Sequence, residues 1–86
     1  MNLYLISQNE NGGYDTYDSA VVAAENAEAA RDTHPGDEKL YTVPWGERRM
    51  FSKGCWAWTR EAVEVQLLAE DVKRPAGVIC ASFNAG

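Results

Sequence analysis

The run Asn9-Glu-Asn-Gly-Gly13 constrains this chain more than any other stretch, because it separates two segments that both read as strands. Asn and Gly tolerate positive φ where other residues clash, so the chain can reverse there. Before it, Asn2 to Ser7 (Asn-Leu-Tyr-Leu-Ile-Ser) is rich in strand formers, with Leu3 and Leu5 on one face. After it, Tyr17 to Ala24 alternates as Tyr17, Ser19, Val21, Ala23 against Asp18, Ala20, Val22, Ala24. A hairpin with a wide loop follows from this order.

A short helix comes next. Asn26 is a preferred cap, Glu28 stands in the first turn where the helix dipole favours a carboxylate, and Pro35-Gly36 ends the segment. Ala27, Ala30 and His34 share a face at spacings of three and four, and His34 reads as a favourable charge at the helix C-terminus. Two turns of helix are not stable alone, so packing on a sheet must hold them. Leu40 to Val43 and Cys55 to Trp58 are short strand candidates, and Trp45-Gly46-Glu47 is a turn. Thr59 is placed to cap a single helical turn. Val63 to Glu70 alternates clearly, with Val63, Val65, Leu67 and Ala69 on one side and Glu64, Gln66 and Glu70 on the other. Asp71 to Pro75 is a charged connection. Gly77 to Phe83 is apolar on both faces, which predicts a central strand or one beneath the helix.

With 86 residues the chain is expected to form one domain, 1–86, with a small core. The predicted fold class is α+β: a small antiparallel sheet of four or five strands, one short helix packed on a face, in the order β-β-α-β-β. Hydrophobic content of 45% and charged content of 24% are those of an ordinary globular chain. No apolar run is long enough to span a bilayer, and Met1 to Ile6 lacks the features of a secretory signal, so a cytoplasmic location is expected. Cys55 and Cys80 are isolated, and Cys80 is expected as a buried free thiol.

Charge is unevenly placed. Met1 to Glu38 holds eight acids against Arg31 alone, a net −7, whereas Lys39 to Gly86 holds seven bases against five acids, a net +2. An acidic first half repels nucleic acid and attracts basic partners.

Four kinds of site were weighed. Ser7, Asn9, Asn11, Gly12, Asp15 and Asp18 fall at positions one, three, five, six, nine and twelve of a calcium-loop frame. Too few of them are carboxylates and the flanks are strands, so no metal or other cofactor is expected. Catalysis has no support, because His34 is the one imidazole and nothing brings it to a nucleophile and an orienting group. Tyr41, Trp45, Phe51, Trp56 and Trp58 alternate with Arg48, Arg49, Lys53 and Arg60, a pattern suited to stacking bases. The overall acidity opposes direct nucleic-acid binding, and two of the tryptophans are needed to fill the core. Protein binding fits best, since Tyr, Trp and Arg carry most interface energy. Two sets offer themselves: Glu10, Tyr14, Asp15, Tyr17 and Asp18 in the acidic turn, and Trp45, Arg48 and Arg49 in the middle.

Leu3-Tyr-Leu-Ile-Ser7, the run Gly13 to Ala24, Ala30-Arg31, His34-Pro35 and Gly77 to Gly86 resemble a family of small uncharacterised phage and prophage proteins. The resemblance covers both ends of the chain and leaves Gly36 to Trp58 unanchored. It carries over no functional residues. What it implies is a small acidic protein of a mobile element, a class that includes anti-CRISPR and other anti-defence inhibitors. The resulting expectation is a non-enzymatic accessory protein that binds a host protein with a basic surface, with a nucleic-acid-targeting defence complex as its target. A small nucleic-acid-binding module built on Trp45, Arg48, Arg49 and Lys53 is the alternative, and self-association is left open.

Overall fold

The computed structural model describes residues 1–10, 12, 16–36, 43–48, 56–57, 59–73 and 75–84. The predicted hairpin forms the middle of the sheet. Strand β1 (Asn2–Ser7) pairs antiparallel with β2 (Thr16–Ala24), from Asn2 opposite Ala24 to Ser7 opposite Ser19. The backbone N–H of Gln8 donates to the Asp18 carbonyl (3.1 Å), and its side-chain amide donates to the Tyr17 carbonyl (2.8 Å). These two bonds extend the contact between the two strands beyond Ser7.

Helix α1 (Ala27–Asp32) starts where its cap predicts: Asn26 Oδ1 accepts from the Ala29 N–H at 2.8 Å. At the other end, Thr33 donates its N–H to the Ala30 carbonyl and its hydroxyl to the Ala29 carbonyl, satisfying groups the helix leaves open. Six residues cannot sustain a helix by local bonds, so its packing on the sheet is what holds it. Ala30 is fully buried against the sheet, whereas Ala27 is exposed.

His34 lies two residues past α1 and is 2% exposed. Its Nδ1 accepts from the Gly36 N–H at 2.9 Å, which requires that nitrogen to be unprotonated. The expected cation at the helix end is therefore corrected to a neutral ring closing the turn.

Two short 3₁₀ turns, Trp45–Glu47 and Arg60–Ala62, follow. Thr59 precedes the second but makes no side-chain cap bond, because its hydroxyl is turned to Glu10. Strand β3 (Glu64–Ala69) pairs antiparallel with β1, and β4 (Gly77–Asn84) pairs antiparallel with β2, giving the order β3-β1-β2-β4. After β3 the chain meets the start of β1. Val72 and Met1 exchange backbone bonds there (2.7 and 3.2 Å), and the Asp71 N–H donates to Asn2 Oδ1. Asp71 turns the chain with φ 54°, a region Asp tolerates better than most residues.

This topology corrects two expectations. Strand β4 is an edge strand, and Cys80 is exposed. Both middle positions are taken by the hairpin, so the last strand can only join its free side, whatever its own hydrophobicity. The Leu40 and Phe51 regions lie outside the described residues, as do Tyr41, Lys53, Cys55 and Trp58.

One face of the sheet carries the core. Tyr4 and Ile6 of β1 and Ala20, Val22 and Ala24 of β2 are buried with Ala30, Trp56, Ala57 and Val63. The expectation that tryptophan fills the core holds for Trp56, which is 1% exposed. Its burial alone represents roughly 5 kcal/mol of transfer free energy. Leu3, Leu5 and Val21 point to the opposite face and are half-buried.

Candidate functional site

The sheet's strand directions decide which polar groups meet. β1 ends, and β2 and β3 begin, at the same end of the molecule, since Ser7 lies opposite both Ser19 and Glu64. Glu10 from the hairpin loop, Asp18 from β2, Glu61 from the second 3₁₀ turn and Glu64 from β3 therefore gather at that end, and all four are exposed. Glu10 is held in place: its carboxylate accepts from the Thr59 N–H (3.1 Å) and from the Thr59 hydroxyl (3.2 Å). Glu61 and Glu64 were not legible as site residues, because their partners at this end come from a segment more than forty residues earlier.

Beside this acidic end, Arg60 continues from Thr59 into a second network. Its Nε donates to Asp32 Oδ1 at 2.8 Å, and its terminal nitrogen pairs with Glu28. Asp32 Oδ1 also accepts from Trp45 Nε1 at 3.1 Å. Arg48 is 4% exposed; it donates to the Val43 carbonyl and to the Asp32 carbonyl, both at 3.0 Å. Its guanidinium lies 4.1 Å from the centroid of the Trp45 ring, a cation–π stack.

Electrostatics follow this geometry. The hydrogen bond and charge of Arg60 hold the Glu28 carboxyl below its ordinary value. Burial pushes Asp32 up, but the hydrogen bonds from Trp45 and Arg60 and the charges of Arg60 and Arg48 outweigh it, and its carboxyl also lies below the ordinary value. Burial lowers the Arg48 guanidinium against the opposing pull of Asp32. Arg60, hydrogen-bonded to both carboxylates, is raised. Asp32 is thus the hub joining α1 to the middle segment. A sequence signal for it exists in retrospect: an acid in the last turn of a helix opposes the dipole and calls for a cationic partner.

The expected partner-binding residues divide accordingly. Glu10 and Asp18 stand exposed at the acidic end. Tyr17 is half-buried against the core, and its ring covers Gly36 so closely that a Cβ there would meet Tyr17 Cε2 at 2.8 Å. Trp45 and Arg48 come together as expected, but on each other and on Asp32. Tyr14, Asp15 and Arg49 lie outside the described residues. Among the described residues no three His, Cys, Asp or Glu side chains are arranged to hold a metal ion, and no helix is long and apolar enough to cross a membrane.

A cavity of about 370 Å³ lies at the opposite end of the sheet, with Ala23, Ala24, Ala29 and Gly77 among its lining residues. Small apolar side chains line most of it, and Glu25 and Thr33 are the polar side chains of its lining among the described residues. No family model, curated protein or solved structure matches the chain.

Proposed function

We propose that the protein is a non-enzymatic accessory protein of the phage type that binds a basic surface on a host protein through its acidic end. The target is a nucleic-acid-targeting defence complex of the CRISPR-Cas kind, whose surfaces for nucleic acid are necessarily basic. One observation carries the reading: Glu10, Asp18, Glu61 and Glu64 are exposed together at one end of the sheet, while Arg48 is buried against Asp32 and Arg60 is paired with Asp32 and Glu28. Anionic groups on a rigid scaffold suit a surface that accepts phosphates, because electrostatic complementarity sets both encounter rate and orientation. The engagement of Trp45 and Arg48 with one another weighs against the alternative of a nucleic-acid module.

The test is affinity capture from a host lysate with the native protein and with Asp18→Lys/Glu61→Lys/Glu64→Lys. A nucleic-acid-handling protein captured by the first and lost with the second supports the proposal. Equal capture by both removes the acidic end from the interaction. Direct binding to single-stranded DNA with a steep salt dependence would favour the nucleic-acid module instead.

A further inference from the structure

Strand β3 lies at an edge of the sheet, and the pairing of β1 fixes which of its backbone groups face out. The Gln8 N–H donates to the Asp18 carbonyl, continuing the β1–β2 register, and Met1 exchanges backbone bonds with Val72 on the β3 side. Backbone groups alternate in direction along an antiparallel strand, so the even residues of β1 turn to β2 and the odd ones turn to β3. Leu5 and Ser7 therefore engage Gln66 and Glu64, which leaves the N–H and C=O of Val65 and Leu67 pointing away from the sheet. Among the described residues no hydrogen bond takes these groups up. Val65 and Leu67 share the core side of β3 with Tyr4 and Ile6, and Leu67 and Leu68 are 47% and 48% exposed. Glu64 and Gln66 stand exposed on the other side, with Glu61 before them and Glu70 after. No base occurs in β3. Two such edges repel one another, whereas a basic strand beside one meets opposite charge.

We propose that the β3 edge is a docking strand for an extended segment of the partner protein in which aliphatic and basic residues alternate. The segment pairs antiparallel and adds a fifth strand to the sheet. Aliphatic residues opposite Val65 and Leu67 exchange backbone bonds with them and cover the exposed leucine. A Lys or Arg opposite Glu64 falls at a non-hydrogen-bonded position, where facing side chains come closest. The register shift beyond Leu67 interrupts the regular edge, so the docked stretch runs across residues 64–67. This assignment rests on the reading of the acidic end as a partner surface, because Glu61 and Glu64 belong to both.

NMR titration and hydrogen exchange of the native protein test this, with the capped peptide Lys-Val-Lys-Val-Lys-Val-Lys as probe. Binding at roughly 0.1 mM is expected, with the amides of Val65 and Leu67 shifting and exchanging more slowly as peptide is added. Methylating the valine nitrogens of the peptide keeps its charge and removes the backbone donors that face β3, and should weaken binding roughly tenfold. Leu67→Lys, at an exposed position, should do the same, while Ala81→Lys on the opposite edge should leave binding unchanged. Equal binding of the methylated peptide, or no binding at roughly 1 mM, overturns the proposal. So does protection of Val65 and Leu67 that grows with protein concentration alone, which would assign the edge to a second copy. Shifts confined to Glu10, Asp18 and Glu61 would also overturn it, yet leave the acidic end a contact surface. Peptide docking on β3 with no protein captured from the lysate would instead sink the host-target reading alone. Should Leu67→Lys fail to fold, the methylated peptide on the native protein decides.

Discussion

Replacing Asp32 by Ala tests the central claim about the polar network, that one carboxylate ties the helix to the middle of the chain. The change removes the acceptor of Trp45 Nε1 and of Arg60 Nε, and a negative charge that acts on the buried Arg48. Losing the acceptor of a half-buried indole N–H costs about 1 kcal/mol. The Arg60 pair is about a third exposed on both sides, at 33% and 30% of side-chain area, so screening limits it to roughly 0.5–1 kcal/mol. Removing the attraction that the Asp32 charge exerts on Arg48, 4% exposed, adds about 1 kcal/mol. Against these losses, alanine is the better helix former and an acid leaves the negative end of the dipole, returning about 0.5–1 kcal/mol. The net expectation is a loss of about 2 kcal/mol. In urea, with a slope of about 1 kcal/mol/M for a chain this small, the midpoint should fall by roughly 2 M. Tryptophan fluorescence and far-UV circular dichroism should report the same transition. A double-mutant cycle with Trp45→Phe isolates the indole bond, with an expected coupling of about 1 kcal/mol. A loss below about 0.5 kcal/mol, or no coupling, would refute the assignment of Asp32 as the hub.

Other outcomes follow from the same geometry. Because the folded-state value of Asp32 is lowered, its contribution is complete above the ordinary aspartate value of 3.8 and disappears as pH falls below it toward the folded value. Acid unfolding monitored by fluorescence should therefore be shallower in Asp32→Ala than in the native protein, and parallel curves would contradict the ion-pair account. Trp56→Ala should cost about 3–5 kcal/mol, a large part of the roughly 4–13 kcal/mol available to 86 residues, and a melting temperature within a few degrees of native would show that the indole is not the core's centre. Asn26→Ala should cost about 1 kcal/mol in urea titration, while Asn26→Gly should cost only a few tenths if the cap bond to Ala29 is the cause. Gly36→Ala should destabilise by about 1–2 kcal/mol because its Cβ meets the Tyr17 ring, and Tyr17→Leu should relieve most of that penalty if the clash is the reason.

Local signals in this chain were reliable where the physics is local. The bounds of β1, the hairpin, the Asn26 cap and the stop at Pro35 depend on strand propensity, turn chemistry and one side chain's reach to the next turn. The alternation in β2 likewise grouped Ala20, Val22 and Ala24 on one face, and all three are buried. In β3, by contrast, the alternation holds only as far as Leu67, since a register shift sets Leu67 opposite Tyr4 but Ala69 opposite Leu3 on the other face, and Leu67 remains 47% exposed on an edge strand. Hydrophobic pattern reports which residues share a face, and says nothing of how many neighbours that face will have.

The candidate site was half legible. Glu10 and Asp18 stood out as acids in a turn, and both are exposed at the acidic end. Glu61 and Glu64 joined them only through the antiparallel pairing of β3 with β1. Tyr17, Trp45 and Arg48 have the side chains of interface residues, yet each has neighbours inside this chain that engage it. Residue type alone cannot separate an anchor awaiting a partner from one already packed.

What the amino-acid sequence determined by itself was the set of pieces: a strand pair around Asn9–Gly13, a capped helix of small residues, and two later strands, on a chain whose first half is strongly acidic. Tertiary structure decided their order in the sheet. With the hairpin in the middle, β4 was left at an edge with Cys80 exposed, and Asp32 became the point where Trp45 and Arg60 converge. Each of these depends on contacts between residues distant in the chain. Strand propensity, capping and turn chemistry act over a few residues and cannot encode such contacts.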